Sequence, residues 1–167
     1  IDIHCGGVDN MFPHHENEIA QSEGCSGKRF VYHWLHVEHL LVDYKKMSKS
    51  LGNFYTLRDL LKKGYSGKEV RYLLLSTHYR TQLNFTFESL KAARASLSRI
   101  EDLIFRLREI EEEAQVTPHI NDLLDVAENK FKNALGNDLN ISVALSTVFD
   151  LVREINSSCD QNQIGTK

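Results

Sequence analysis

Two stretches of this sequence gather residues able to do chemistry. In "DYKKMSKSLGN", residues 43–53, Lys45, Lys46 and Lys49 stand beside Ser48 and Ser50. Like charges this close repel, and the segment is too irregular to bury, so an anion is what would reward it. A lysine ammonium is a compact charge on a flexible stem. Lys46 and Lys49, on a short loop with serine and glycine neighbours, can fold over a triphosphate. Adenylyl transfer needs positive charge beside the α-phosphate and the departing pyrophosphate, and a mobile loop can close for the reaction and reopen for release. A plain solvated turn is the ordinary fate of a lysine-rich loop, and only the order of residues argues for more.

The second stretch is "FPHHENEIAQ". His14 and Glu18 lie four apart, so on a helix both leave one face and can converge on one ion. Imidazole nitrogen and carboxylate oxygen both suit Zn²⁺. The same spacing also describes ordinary surface neighbours. A local alternative would use Cys5, His14, Glu18 and Cys25, although its spacing matches no compact zinc-finger pattern. Upstream, Gly6-Gly7-Val8-Asp9 ends a strand and precedes a helix, the place where α/β proteins bind nucleotides. Glycine admits close backbone approach there, and Asp9 can accept hydrogen bonds from a ribose or an amine. Trp34 reads as packing.

The elements that position these groups follow from pattern. "IDIHCGG" reads as a strand, Pro13 as the first residue of a helix running through "PHHENEIAQSE", and Gly24 as its stop. "RFVYHWLHVEHLLV" is aromatic and β-branched, hence a strand or two. Thr56 caps "LRDLLKK", which Gly64 closes; Ser66 and Glu69 form a capping box opening "GKEVRYLLLSTH". From Thr86 to about Glu113, Leu90, Ala93, Leu97, Ile100, Ile104 and Leu107 make a bundle seam, broken near Pro118. Leu123, Leu124, Ala127, Phe131 and Leu135 mark another helix, ended by Gly136. Asn140 caps a last one that turns Ala144, Leu145, Val148, Phe149, Val152 and Ile155 inward. The tail "SSCDQNQIGTK" reads as frayed. The chain thus begins α/β and finishes as an antiparallel helical bundle.

Composition narrows the function classes. The net charge of −3 over 167 residues excludes a general polyanion binder. Basic character is local: from Asp43 to Arg71 eight Lys/Arg face three acids. Glu111, Glu112 and Glu113 point to a solvated acidic face. Three widely spaced cysteines argue against a disulfide framework and for a reducing cytosol. No stretch is apolar and long enough to span a bilayer, and no signal peptide is recognisable.

"KMSKS", Lys46 to Ser50, is the signature loop of class I aminoacyl-tRNA synthetases. Its context is more specific: "DIHCGGVDNMFPHHENEIAQS" and "KMSKSLGNF" resemble the cysteinyl-tRNA synthetase family, and "ALGNDLNISVALSTVFDLVREIN" resembles that family's DALR-type helical domain. The likeness covers nearly the whole chain and is weakest in the tail and near Pro118. It implies an α/β remnant of a Rossmann-like catalytic domain followed by a mostly α-helical bundle, predominantly helical overall. Residues 1–44 would be the end of the nucleotide-binding domain, 45–85 the signature loop with stem-contact helices, and 86–167 the DALR-like bundle.

The resemblance also implies an activity: ATP-dependent activation of L-cysteine to cysteinyl-adenylate and transfer to tRNA(Cys). Lys46 and Lys49 would be catalytic; Lys49, Gly7, Asp9 and His36 would bind ATP, with His4 and His15 lining the pocket. His14 and Glu18 would hold one Zn²⁺ per monomer, its remaining ligands outside this chain, and Mg²⁺ would accompany ATP. Zinc binds a soft thiolate far better than a hydroxyl, which would separate cysteine from serine without an editing site. The expected partners are tRNA(Cys), ATP and L-cysteine, in a cytoplasmic monomer with no membrane contact. Beginning at Ile1 in mid-strand, the chain reads as a fragment and is expected to be inactive alone. Cys5 and Glu38 depart from the family, which has glycine at both places. Two other readings stand beside this one: a cysteine ligase of mycothiol synthesis, and a non-catalytic zinc- or RNA-binding module.

Overall fold

The structure, a computed structural model, describes residues 1–110, 118–161 and 163–164. Two compact units divide the chain: Ile1–Phe54 with Tyr79–Thr86, and Tyr55–His78 with Phe87–Lys167.

In the first unit, β1 (Ile3–Gly7) pairs in parallel with β2 (His33–Val37), in register from Ile3↔His33 to Gly7↔Val37. Helix α1 spans Glu16–Ser26 between them. A wider helical turn, Met11–His15, leads into it: Phe12 is extended (φ −137, ψ 131), Pro13 follows, and the Glu16 amide donates to the Pro13 carbonyl. A proline after an extended residue stands where a helical run can begin, so the start falls where the sequence puts it. The stop moves, from Gly24 to Gly27, whose left-handed φ of 64 lets its amide donate to the Glu23 carbonyl at 2.8 Å. The aromatic run resolves into two strands, β2 and β3 (Leu41–Val42). Strand β3 pairs antiparallel with β4 (Lys45–Lys46) and in parallel with β5 (Asn84–Phe85). Asp43 and Tyr44 form the two-residue turn between β3 and β4, both at positive φ.

The second unit holds α2 (Leu57–Lys62), α3 (Gly67–Ser76), α4 (Phe87–Arg108), α5 (Pro118–Gly136) and α6 (Ile141–Asp160). Thr56 and Ser66 cap as their spacing requires, each closing a reciprocal box with Asp59 and Glu69. Asn140 Oδ1 accepts from the Val143 amide at 3.2 Å. Along α4 the buried seam is Leu90, Ala93 and Leu103, while Ile104 lies outward at 43% exposure. Helical drift over those turns rotates position 104 off the stripe and brings 103 onto it. Leu124 is likewise outward, and Ala134 and Ile120 are buried instead. The acidic run at Glu111–Glu113, and any extension of α4 to it, lies outside the described residues.

The tail read as frayed begins inside a helix. Ser157–Asp160 complete α6, with Ser158 and Cys159 buried. Arg106 on α4 donates to Asp160 Oδ1 at 2.6 Å and to Asn156 Oδ1 at 3.1 Å, tying the last turns down. Beneath that clasp Leu103, Ile120, Val152, Ile155 and Cys159 form one apolar cluster.

Candidate active site

One face of the β1–β2 pair carries a cluster of rings. Because side chains alternate along a strand, His4 and Gly6 on β1 share a face, and register sets them beside Trp34 and His36 on β2. His15, from the turn before α1, lies over this face and is 4% exposed. Its Nδ1 stands 2.8 Å from His36 Nε2, so one imidazole donates to the other. Its ring centroid is 4.9 Å from those of both His4 and Trp34. Trp34, read from the sequence as packing, packs inside this ring cluster. Burial, the largest influence, pushes the His15 pKa below the ordinary 6.5, and the imidazole is neutral at neutral pH.

Gly6 makes this arrangement possible. A Cβ there would meet His15 Cε1 at 2.6 Å and Nε2 at 3.0 Å. Gly7 similarly leaves room for the Asp9 carboxylate, whose Oδ1 would be 2.4 Å from a Cβ. At both glycines the space a Cβ would fill is taken by a side chain of this chain.

Glu18, on the first turns of α1, faces two histidines. Its Oε1 lies 3.4 Å from His14 Nε2 and its Oε2 lies 3.1 Å from His4 Nε2. Oε2 is sealed from solvent yet has no hydrogen-bond partner, because the His4 approach is close without being aligned. An unpaired buried carboxylate oxygen is costly and calls for a cation or a proton. Two ligands of one tetrahedral zinc at metal distances of about 2.1 Å stand roughly 3.4 Å apart, close to both separations here. The donors present therefore fit Zn²⁺. Among the described residues, His4, His15 and Glu18 also bring ligand atoms within 4.8 Å of one another. His14 sits at the rim, its side chain 64% exposed.

The local four-residue alternative has no such support. Cys5 and Cys25 are both exposed, and strand alternation turns Cys5 to the face opposite His4. Neither belongs to the ligand cluster found among the described residues.

Lys46 ends β4 and Lys49 lies in the turn that follows. Leu51 N donates to Ser48 Oγ at 3.2 Å and Gly52 N to the Lys49 carbonyl at 3.2 Å. Gly52 is at φ 66, a left-handed position that glycine takes without strain. Outside that turn, Asn53 and Phe54 contact its residues. Sequence reasoning passed over both, although an asparagine and an aromatic directly after a lysine loop were a usable signal.

The family described as "tRNA synthetases class I (C) catalytic domain" matches residues 1–95, and "DALR domain" matches residues 130–166. The chain belongs to the class I tRNA synthetases. The "Cysteine--tRNA ligase" of Protochlamydia amoebophila (strain UWE25) is 60% identical over 170 residues, covering 100% of this chain and 35% of that protein. That of Chlamydia muridarum is 58% identical over 98% of this chain and 35% of its own length. That of Brachyspira hyodysenteriae is 52% identical over 100% of this chain and 36% of its own. The chain thus spans 35 to 36% of the length of these curated relatives. A solved ternary complex of Agrobacterium radiobacter K84 LeuRS with tRNA and LeuAMS aligns with 96% of this chain and 23% of that one, at TM-score 0.74 and 19% identity. That likeness speaks to fold alone. Among the described residues, no helix is long and apolar enough to cross a membrane.

Proposed function

We propose that this chain is the part of a cysteine–tRNA ligase that selects the amino acid and closes on ATP. The observation that carries this is Glu18: a sealed, unpaired carboxylate oxygen flanked by His4 and His14. It occurs in a chain 52 to 60% identical along its length to proteins named for that activity.

In this reading His14 and Glu18 hold Zn²⁺, and His4 keeps the Glu18 carboxylate turned toward it. The bound metal supplies a soft site for the substrate thiolate, which a serine hydroxyl fills poorly. Neutral His15, hydrogen-bonded to His36, keeps a second positive charge out of the pocket and fixes the ring wall. Gly7, Asp9 and His36, at the strand ends, line the space for adenosine and the substrate amine. In the first step the cysteine carboxylate attacks the α-phosphate of Mg·ATP, and the bond to pyrophosphate breaks. Lys49, with Lys46, offsets the charge that accumulates on the phosphates. In the second step the terminal ribose hydroxyl of tRNA takes the cysteinyl group and AMP leaves. The exposed basic run Arg58, Lys62, Lys63, Lys68 and Arg71 suits the phosphates of the acceptor stem. The DALR match over residues 130–166 favours tRNA over an amino-sugar as acceptor. The reading includes a cytoplasmic monomer.

The test is ATP–pyrophosphate exchange in a chimera in which this chain replaces its counterpart in the Protochlamydia amoebophila relative. Lys49→Ala is expected to lower cysteine-dependent exchange by about 100-fold or more, the usual cost of removing a transition-state charge stabiliser. Exchange near the unsubstituted rate would overturn the assignment.

A further inference from the structure

We propose that Asn53 and Phe54 are positioning residues that park Lys49 on its own loop until a triphosphate draws it away. This deepens the phosphate reading of Lys49 and rests on it.

Asn53 spans the loop. Its Nδ2 donates to the Lys46 carbonyl at 3.2 Å, and its Oδ1 accepts from the Ser48 amide at 2.9 Å. A side-chain amide is the group that can donate and accept at once; aspartate lacks the donor and leucine lacks both. Within the span so closed, Ser48 Oγ accepts from Leu51 N and stands 3.1 Å from Ser50 Oγ. The turn is therefore shaped by bonds within residues 46–53, while Lys49, Ser50, Leu51 and Gly52 stay exposed. Such a turn keeps its form without being buried, which a mobile phosphate-binding loop requires.

Phe54 supplies the resting place. Lys49 Nζ lies 5.6 Å from the centre of its ring, which is itself 41% exposed. A ring face attracts an ammonium, but at an exposed site it biases the equilibrium by only a factor of roughly 2 to 5. Several phosphate charges outcompete that easily. The ring therefore holds the lysine loosely: it narrows the search of a long flexible side chain in the empty loop and lets go when the anion arrives.

Native-state proteolysis of this 167-residue chain tests the idea directly, because trypsin cuts the Lys49–Ser50 bond only when the turn opens. Mass spectrometry reads that cut, with cuts inside α4 and α6 as controls. Asn53→Ala is expected to speed loop cleavage about 10-fold, the effect of losing two exposed hydrogen bonds. Phe54→Leu is expected to speed it roughly 2- to 5-fold, with control rates unchanged in both. Loop rates like those of the unsubstituted chain overturn the inference. If Asn53→Ala accelerates the control cuts as well, Phe54→Leu decides, since its ring is a half-exposed loop residue outside the buried set. In the chimera, Phe54→Leu is expected to lower KM for ATP roughly 2- to 5-fold, because the lysine no longer leaves a partner. A KM that stays or rises contradicts parking. The two readings fail separately. Normal exchange in Lys49→Ala removes the phosphate role and leaves the cleavage result standing, whereas unchanged cleavage with a dead Lys49→Ala removes only the parking.

Discussion

The two units are held together by different chemistry. Among the described residues, the second buries Leu60, Leu73, Leu90, Ala93, Leu103, Ile120, Ala134, Ala144, Val152 and Ile155. The first buries Val31, Val42 and Phe85, and the residue at the centre of its ring cluster is a histidine. One is an ordinary helical core, stabilised by apolar area removed from water. The other is organised around polar rings, an imidazole–imidazole hydrogen bond and a carboxylate oxygen that accepts no hydrogen bond. The contrast teaches that the first unit gives up apolar packing for polar ring contacts, a trade that functional regions commonly make.

Four measurements can break or sharpen this comparison. Leu90 is 0% exposed, and Leu90→Ala should cost the second unit about 2–5 kcal/mol, read as a lowered denaturation midpoint. A loss below about 1 kcal/mol would mean that the bundle is not core-dominated.

Next in size, Gly6→Ala pushes a methyl against His15 and should weaken Zn²⁺ at the proposed site by about 10- to 100-fold in competition with a chromophoric chelator. Unchanged affinity would detach the ring cluster from the metal.

Acid should affect the second unit through Glu69. The Arg94 hydrogen bond, and behind it the Ser66 amide, hold the Glu69 carboxyl below its ordinary 4.5. The unfolded chain therefore takes up this proton first as pH falls. The stabilisation is complete above about pH 4.5 and fades as pH drops through the lowered folded value. Glu69→Gln should flatten that acid limb, and an unaltered limb would show that Arg94 contributes nothing through Glu69.

Smallest of all, Asn140→Ala should cost about 1 kcal/mol through the lost cap on α6, measured in the same denaturation experiment. Stability equal to the unsubstituted chain would place the burden on packing alone.

Much of the second unit was legible because its signals are local. Capping pairs such as Ser66 with Glu69, and apolar spacing along α6, act within a few residues of themselves. The misses there were matters of rotation: Ile104 for Leu103, and an outward Leu124. In the first unit local rules put the start of the helical run at Pro13, after an extended Phe12, but misplaced its stop, because Gly27 rather than Gly24 takes the left-handed backbone.

The sequence alone determined the types of group available: paired lysines on a short loop, imidazoles beside a glutamate, and helix caps. Those follow from side-chain chemistry and from periodicity along one chain. Tertiary structure decided which of them meet. Register between β1 and β2 set His4 and Gly6 beside Trp34 and His36, and a missing Cβ let His15 come down onto them. Strand alternation turned Cys5 away, while His4 on β1 and Glu18 on α1 came within 3.1 Å of each other with Glu18 Oε2 sealed from water. Contacts across 20 or more residues depend on where backbones cross, and no local pattern encodes that.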